Sequence, residues 1–200
     1  MKPEMVTLKV GEATIKMPAS TVAGLVLASV VSHIAPSAQV AANGFASDIP
    51  ETGSYWPEQG GLNGGFVPAR GDVPAHYLIF AKDDVGDHEY GRRGEESKAT
   101  SKTDGMSNSA FLLSEGGHPA ASAASGYGAG GHNDFYLPAA AELYQGWVNC
   151  PQIFAQDCYY WSSSQRSAYL AFLLGFGGGS QGISGKYLEF RVRPVRRFFI

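Results

Sequence analysis

Tyr159-Tyr160-Trp161 runs directly into Ser162-Ser163-Ser164, and after a glycine-laden stretch the chain closes on Glu189-Phe190-Arg191-Val192-Arg193-Pro194-Val195-Arg196-Arg197. Aromatic and β-branched residues favour strands, and arginines alternating with apolar residues mark a strand with one face on a core. Val192 and Val195 can then face that core, while Arg191 and Arg193 share the other side. Guanidinium forks there commonly brace carboxylates, and Glu142 or Asp134 is the expected partner. Tyr160 and Trp161 supply large apolar area to the same core. Gly175, Gly177, Gly178, Gly179, Gly182 and Gly185 leave the connecting segment with few side chains, which suits a tight turn or a close backbone approach. With no following helix and no Lys-Ser or Lys-Thr pair, the segment is not a phosphate loop.

Composition agrees with a sheet-based, loop-rich architecture. The chain has 200 residues, 26 of them Gly and 11 Pro, which argues against a helical bundle and fits one main domain with a small appendage. An apolar fraction of 44% is ample for a core. A net charge of -3 argues against non-specific nucleic-acid binding, which needs a basic face. Cys150 and Cys158 alone make neither a disulfide scaffold nor a tetrahedral zinc site, and read as two buried thiols; a single bridge is the alternative. Met1-Lys2-Pro3-Glu4-Met5 does not open a signal peptide, and the apolar run from Thr21 to Ile34 is shorter than the roughly 20 residues a membrane span needs. Synthesis and folding in a cytoplasm, without membrane insertion, is the expectation.

Val6–Val10 and Ala13–Met17 alternate with period two around Gly11-Glu12, which predicts a hairpin with a type II′ turn pairing Val10 with Ala13, Leu8 with Ile15 and Val6 with Met17. Ser20 is the N-cap expected for a helix reaching Ile34 before Pro36. Val22, Leu25, Val26 and Val30 lie on one stripe of it, and Ala23, Leu27, Val31 and Ile34 lie nearly opposite. A helix apolar nearly all round must be covered on several sides. It either packs under the main domain or bundles with copies from neighbouring subunits, which would make residues 1–35 an oligomerisation or docking module. Residues 36–50 read as a linker and 51–200 as the main domain. Within it, Gly64–Arg70 and His76–Ala81 read as two strands around a turn. Lys82–Gly131 reads as weakly structured polar chain with one apolar island at Ala110–Leu113, and Ala139–Trp147 as a short helix.

Asp134-Phe135, Leu137-Pro138, Glu142-Leu143, Tyr160-Trp161-Ser162-Ser163 and Val192-Arg193-Pro194-Val195-Arg196 occur in an order that resembles the DUF1566 group of C-type-lectin-like proteins, found in phage tails and on bacterial surfaces. The resemblance covers nearly the whole chain and is specific from Asp134 onward. Tyr136 and Ala139 depart from it, standing where an arginine and a helix-capping Ser or Thr are expected. It implies an α+β fold: a C-type-lectin-like domain preceded by a small hairpin plus apolar helix. The implied function is non-catalytic, a tail, baseplate or fibre part of a phage virion used for host attachment or as a structural joint. A homo-oligomer is implied, with a trimer preferred. A bacterial adhesin or lectin is the alternative. Formylglycine-generating enzymes share the fold class, but Cys150 and Cys158 precede the Trp161 strand, so that chemistry is not carried over.

In related phage tropism proteins the ligand-facing residues lie between the Trp-Ser-Ser strand and the closing strand, here Gln165–Tyr187. The resemblance thus nominates Gln165, Arg166, Leu170, Phe172, Leu174, Ser180, Gln181, Ile183, Ser184 and Tyr187. Alternation along this window puts Tyr169, Ala171 and Leu173 on one face and Leu170, Phe172 and Leu174 on the other, and the resemblance implies that the first set points inward and the second outward. An apolar outward set fits protein, either a host receptor or another virion subunit, better than free sugar. The competing reading is that this chain's own loops, from residues 82–131, cover it. No cofactor, metal or nucleic acid is expected. Asp83-Asp84 with Asp87-His88-Glu89 lacks calcium-loop spacing and reads as a solvated charge run.

Overall fold

A computed structural model describes residues 5–10, 13–18 and 49–200. The expected helix with Val22, Leu25, Val26 and Val30, and most of the linker, lie outside the described residues. The chain divides into two units, Met1–Ser47 and Asp48–Ile200. In the first, β1 (Met5–Val10) and β2 (Ala13–Pro18) form an antiparallel hairpin pairing Val6 with Met17, Leu8 with Ile15 and Val10 with Ala13, the register that alternation requires.

The second unit is α+β, with two sheets and three helices. Its strands are β3 (Tyr55–Trp56), β4 (Gly61–Val67), β5 (His76–Phe80), β6 (Asp87–Glu89), β7 (Tyr159–Gln165), β8 (Leu170–Gly175), β9 (Ser180–Gly185), β10 (Glu189–Arg191) and β11 (Val195–Phe199). Its helices are α1 (Gly105–Glu115), α2 (Pro119–Ser125) and α3 (Ala140–Asn149). One sheet has the order β11-β5-β4-β3 and the other β6-β10-β7-β8-β9. The closing arginine segment thus serves both. Pro194, which lacks an N–H to donate, separates β10 in one sheet from β11 in the other. Because β11 runs antiparallel to β5, from Val195 opposite Phe80 to Phe199 opposite His76, the stretch 81–194 is a long excursion closed at its base by these two strands.

Adjacent residues on a strand point to opposite faces, and β7 uses this to serve two cores. Trp161 packs with Tyr90, Leu112, Leu137, Ala171, Leu173 and Val192. Tyr160 packs with Leu78, Phe80, Leu143, Phe154, Leu174, Phe176 and Val195. On β8, Leu173 lies opposite Trp161 and Leu174 opposite Tyr160, so the two leucines divide between the same cores. Val192 and Val195 are fully buried as expected, but one in each core.

The polar stretch from Lys82 to Gly131 holds β6, α1 and α2, which corrects its reading as weak structure. α1 turns a mostly small and polar face inward: Gly105, Asn108, Ser109 and Leu112. Asn108 stays satisfied there, its amide donating to Ser101 O at 2.7 Å and Ser163 Oγ at 3.2 Å while its Oδ1 accepts from Ser101 N. Asp104 caps α1 by accepting from Ser107 N. In α2 the buried alanines 120, 121 and 124 let the helix sit close against the β6 side of the sheet. Hydrophobic patterning misses such helices, because what they bury is small or hydrogen-bonded rather than greasy.

Candidate functional site

The serine triplet of β7 is internal mortar. All three serines are buried. Ser162 Oγ donates to Phe172 O at 2.8 Å, Ser163 Oγ receives the Asn108 amide, and Ser164 Oγ donates to Ser101 O at 2.7 Å while accepting from Ala140 N. They tie β7 to β8, α1 and the start of α3 across an irregularity in the β7–β8 register.

The closing arginines are also structural, though their partners differ from the expected ones. Arg191 bonds Asp87 at 2.6 Å and Asp84 at 3.3 Å, and Arg193 bonds Asp84 at 2.5 Å. Asp134 is held instead by Arg196 at 2.7 Å, and Glu142 by Arg197 at 2.7 Å. The Asp83–Glu89 run is therefore not simply solvated. Asp84 is largely buried and also accepts from Tyr160 Oη at 2.9 Å, and Asp87–Glu89 pair as β6 with β10.

Glu142 is enclosed with Arg197 in the interior, and its carboxylate accepts from Arg197, from Tyr136 Oη at 2.8 Å and from Ala139 N at 2.7 Å. This last bond explains how α3 starts without a Ser or Thr cap: the carboxylate one turn on reaches back to the N-cap amide. Tyr136, at the position that departs from the family pattern, supplies a hydroxyl to the same carboxylate. Burial raises the pKa of the Tyr136 phenol, and the Glu142 negative charge adds to the rise.

Cys150 is fully buried and Cys158 half-buried, and both are free thiols. Burial pushes the Cys150 thiol up to about 12 and raises Cys158 as well. A thiol so disfavoured as thiolate is a poor nucleophile. Among the described residues, no group of three His, Cys, Asp or Glu is placed to hold a metal, and no helix is long and apolar enough to cross a membrane.

The ten nominated contact residues separate into three groups. Gln165 and Leu174 are buried, which corrects the nomination of both as contact residues and the outward direction expected of Leu174. Leu174 sits in the Tyr160 core because α3 and the Phe154–Phe176 pair cover that end of the sheet. Gln165 is an interior strut: its amide donates to Glu96 Oε2 at 2.6 Å and Ser97 O at 3.2 Å, and its Oε1 accepts from Ser97 N and Lys186 Nζ. Leu170, Phe172 and Ser184 are half-buried. Arg166, Ser180, Gln181, Ile183 and Tyr187 are exposed.

Two surface patches remain. On the outer face of the β8–β9 hairpin, Phe172 stands directly across from Ile183, which is 48% exposed. Beside the pair is a groove of about 350 Å³ lined by Lys102, Ala140, Ala141, Tyr144, Phe172 and Gln181. Lys102 Nζ lies 4.3 Å from the centre of the Phe172 ring, a cation over an aromatic face. The exposed Tyr144 stacks on Trp147, whose indole N–H donates to Phe176 O at 3.2 Å. Gly179, at φ +66°, lies so close to the Trp147 ring that an added Cβ would fall 2.4 Å from it. The hairpin and α3 are thereby locked into one wall.

The second patch is at the open end of the hairpin, beyond the Leu170–Gly185 pair, where Arg93 lies 5.2 Å from both the Tyr169 and Tyr187 rings. Tyr169 was expected to point inward and is instead 54% exposed. It belongs to the turn that Arg166 and Ser167 close on Leu170 O, so strand alternation does not reach it. Beneath the patch Lys186 is fully buried, its ammonium donating to Glu95 O at 2.8 Å and to Gln165 Oε1. Burial lowers the Lys186 pKa. Sequence reasoning missed Arg93, Lys102, Tyr144 and Lys186, since nothing local shows that the 92–102 loop folds back onto the hairpin.

No protein-family model matches the chain, and no curated protein matches it.

Proposed function

We propose that residues 51–200 are a non-catalytic C-type-lectin-like module of a phage virion part, in the tail, baseplate or fibre. It meets a protein partner, either a host receptor or another subunit of the particle, through the outer face of the β8–β9 hairpin. The observation that carries this reading is the Phe172–Ile183 pair and the groove beside it, flanked by the Tyr169–Arg93–Tyr187 cluster. Tyr, Phe and Arg held on a rigid wall are the residue types enriched at binding hot spots. The pairing of β5 with β11 at the base of a long excursion supports a C-type-lectin-like architecture, in which entry and exit strands lie side by side.

The same accounting favours binding over catalysis. Glu142, Asp84 and the closing arginines are committed to one another, and Cys150 is a buried, high-pKa thiol. This speaks against a formylglycine-generating activity built on the cysteines. Residues 1–35 serve as the oligomerisation or docking segment in this proposal, with a trimer as the preferred stoichiometry.

Immunogold labelling of particles from the producing host tests the assignment. Gold on the tail or its fibres is expected. Particles without label, with the protein found free in the medium or on the bacterial surface, would sink it in favour of an adhesin.

A further inference from the structure

The five-stranded sheet ends on β9, and β9 is an unusual edge. Natural edge strands are kept short, charged, bulged or covered. Here β6, at the other end of the sheet, has 3 residues, two of them acidic, and β3, at the edge of the other sheet, has 2 residues. At the opposite edge of that sheet, β11 is partly covered, because Val195 exchanges backbone bonds with Tyr136. By contrast β9 has 6 residues, Ser-Gln-Gly-Ile-Ser-Gly, with no charge and no proline, and its register with β8 runs unbroken from Ser180 to Gly185. Among the described residues no strand pairs with its outer side.

Lys186 N donates to Tyr169 O, which sets the phase of the ladder. Alternation then turns the N–H and C=O of Ser180, Gly182 and Ser184 toward β8, and those of Gln181 and Ile183 away from it. The outward groups are the ones an added strand would use.

We propose that this edge pairs antiparallel with β9 of a second copy of the chain, about a two-fold axis at Gly182. That register sets Gln181 against Ile183 of the partner subunit, with all their outward N–H and C=O groups bonded. It also sets Ser180 against the partner's Ser184, a small polar pair, and Gly182 against itself. An uncharged strand meets its own copy without like-charge repulsion, and the self-complementary order of its residues is what singles out a second copy over an unrelated strand. The joined sheet places the Phe172–Ile183 pairs of both copies on one continuous face. The inference does not depend on the virion reading, since it rests on the backbone edge.

Light scattering or sedimentation on the full chain tests it. The wild type is expected to contain an even number of subunits, the trimer proposed for residues 1–35 doubling to six across its β9 edges. Gln181→Pro, which removes an outward N–H only, and Ile183→Lys, which places a charge on the edge, should each halve the mass without lowering the melting temperature. Phe172→Ser, which leaves the edge intact, should not change the mass. A wild type with an odd subunit number or a monomer would overturn the proposal. So would a mass unaffected by a folded Ile183→Lys variant. Loss of particle binding in Phe172→Ser at unchanged mass bears on the face alone, which keeps the two readings separable.

Discussion

Asp84 is a single carboxylate on which Arg191, Arg193 and Tyr160 all converge, so its replacement is expected to cost more than a surface charge would. Asp84→Asn should destabilise the protein by about 2 kcal/mol or more, because two guanidinium groups lose a charged acceptor. Denaturant melts read this directly. Glu142→Ala is expected to be more severe, about 3–5 kcal/mol, since it takes the buried carboxylate from both Arg197 and the Tyr136 hydroxyl and leaves Arg197 paired with Asp104 at 3.0 Å. The histidines make a pH prediction. His76 and His118 are buried, and burial lowers both pKa values below 6.5. Arg197 and Asp104 act on His76 in opposite senses, as do Arg92 and Lys186 against Glu115 on His118. Below pH 6.5 the unfolded chain takes up protons that the folded chain resists, so stability is full above that pH and falls as pH drops toward the folded values. NMR titration of the ring protons should give midpoints under 6.5 for both. A midpoint above it would contradict their burial.

At the level of elements, the chain's two-faced strands decide how far patterning could be read. The hairpin β1–β2 was legible to the residue pair, because a two-residue turn and one apolar face leave a single register. The inward roles of Trp161, Ala171, Leu173, Val192 and Val195 were legible too. Leu174 was not, because alternation shows that Leu173 and Leu174 face opposite ways without revealing that α3 and Phe154 cover the second face. α1 and α2 were illegible for a related reason: their buried faces are Ala, Gly, Ser and Asn, which carry no hydrophobic period. The wall formed by β8, β9 and α3 was half legible. Phe172 and Ile183 came from the hairpin itself, but Tyr144 and Lys102 reach it from segments brought close only by folding. Gly179 tests that wall. Gly179→Ala must move Trp147 and adopt a left-handed backbone, so a loss of about 1–3 kcal/mol is expected, together with altered Trp fluorescence. An unchanged melt and spectrum would mean that the hairpin and α3 are not locked together.

For the whole molecule, the chain divides at Ser47/Asp48, and in the proposed reading the first unit holds the trimer contact and the second the protein-binding face. If residues 1–35 assemble the proposed trimer, a chain beginning at Asp48 should keep its melting transition and lose that contribution to its mass. The central claim is that the Phe172–Ile183 face meets protein while Leu174 builds the core. Leu174→Ser should melt the domain, by about 2–5 kcal/mol on the scale of large-to-small core changes. Phe172→Ser separates binding from folding. The most direct measurement is the amount of Phe172→Ser protein incorporated into particles or supporting adsorption, taken alongside its melting temperature. At least a tenfold loss, about 1.4 kcal/mol of contact, is expected at an unchanged melt. Wild-type incorporation and adsorption, or a melt that falls with Phe172 as it does with Leu174, would contradict it.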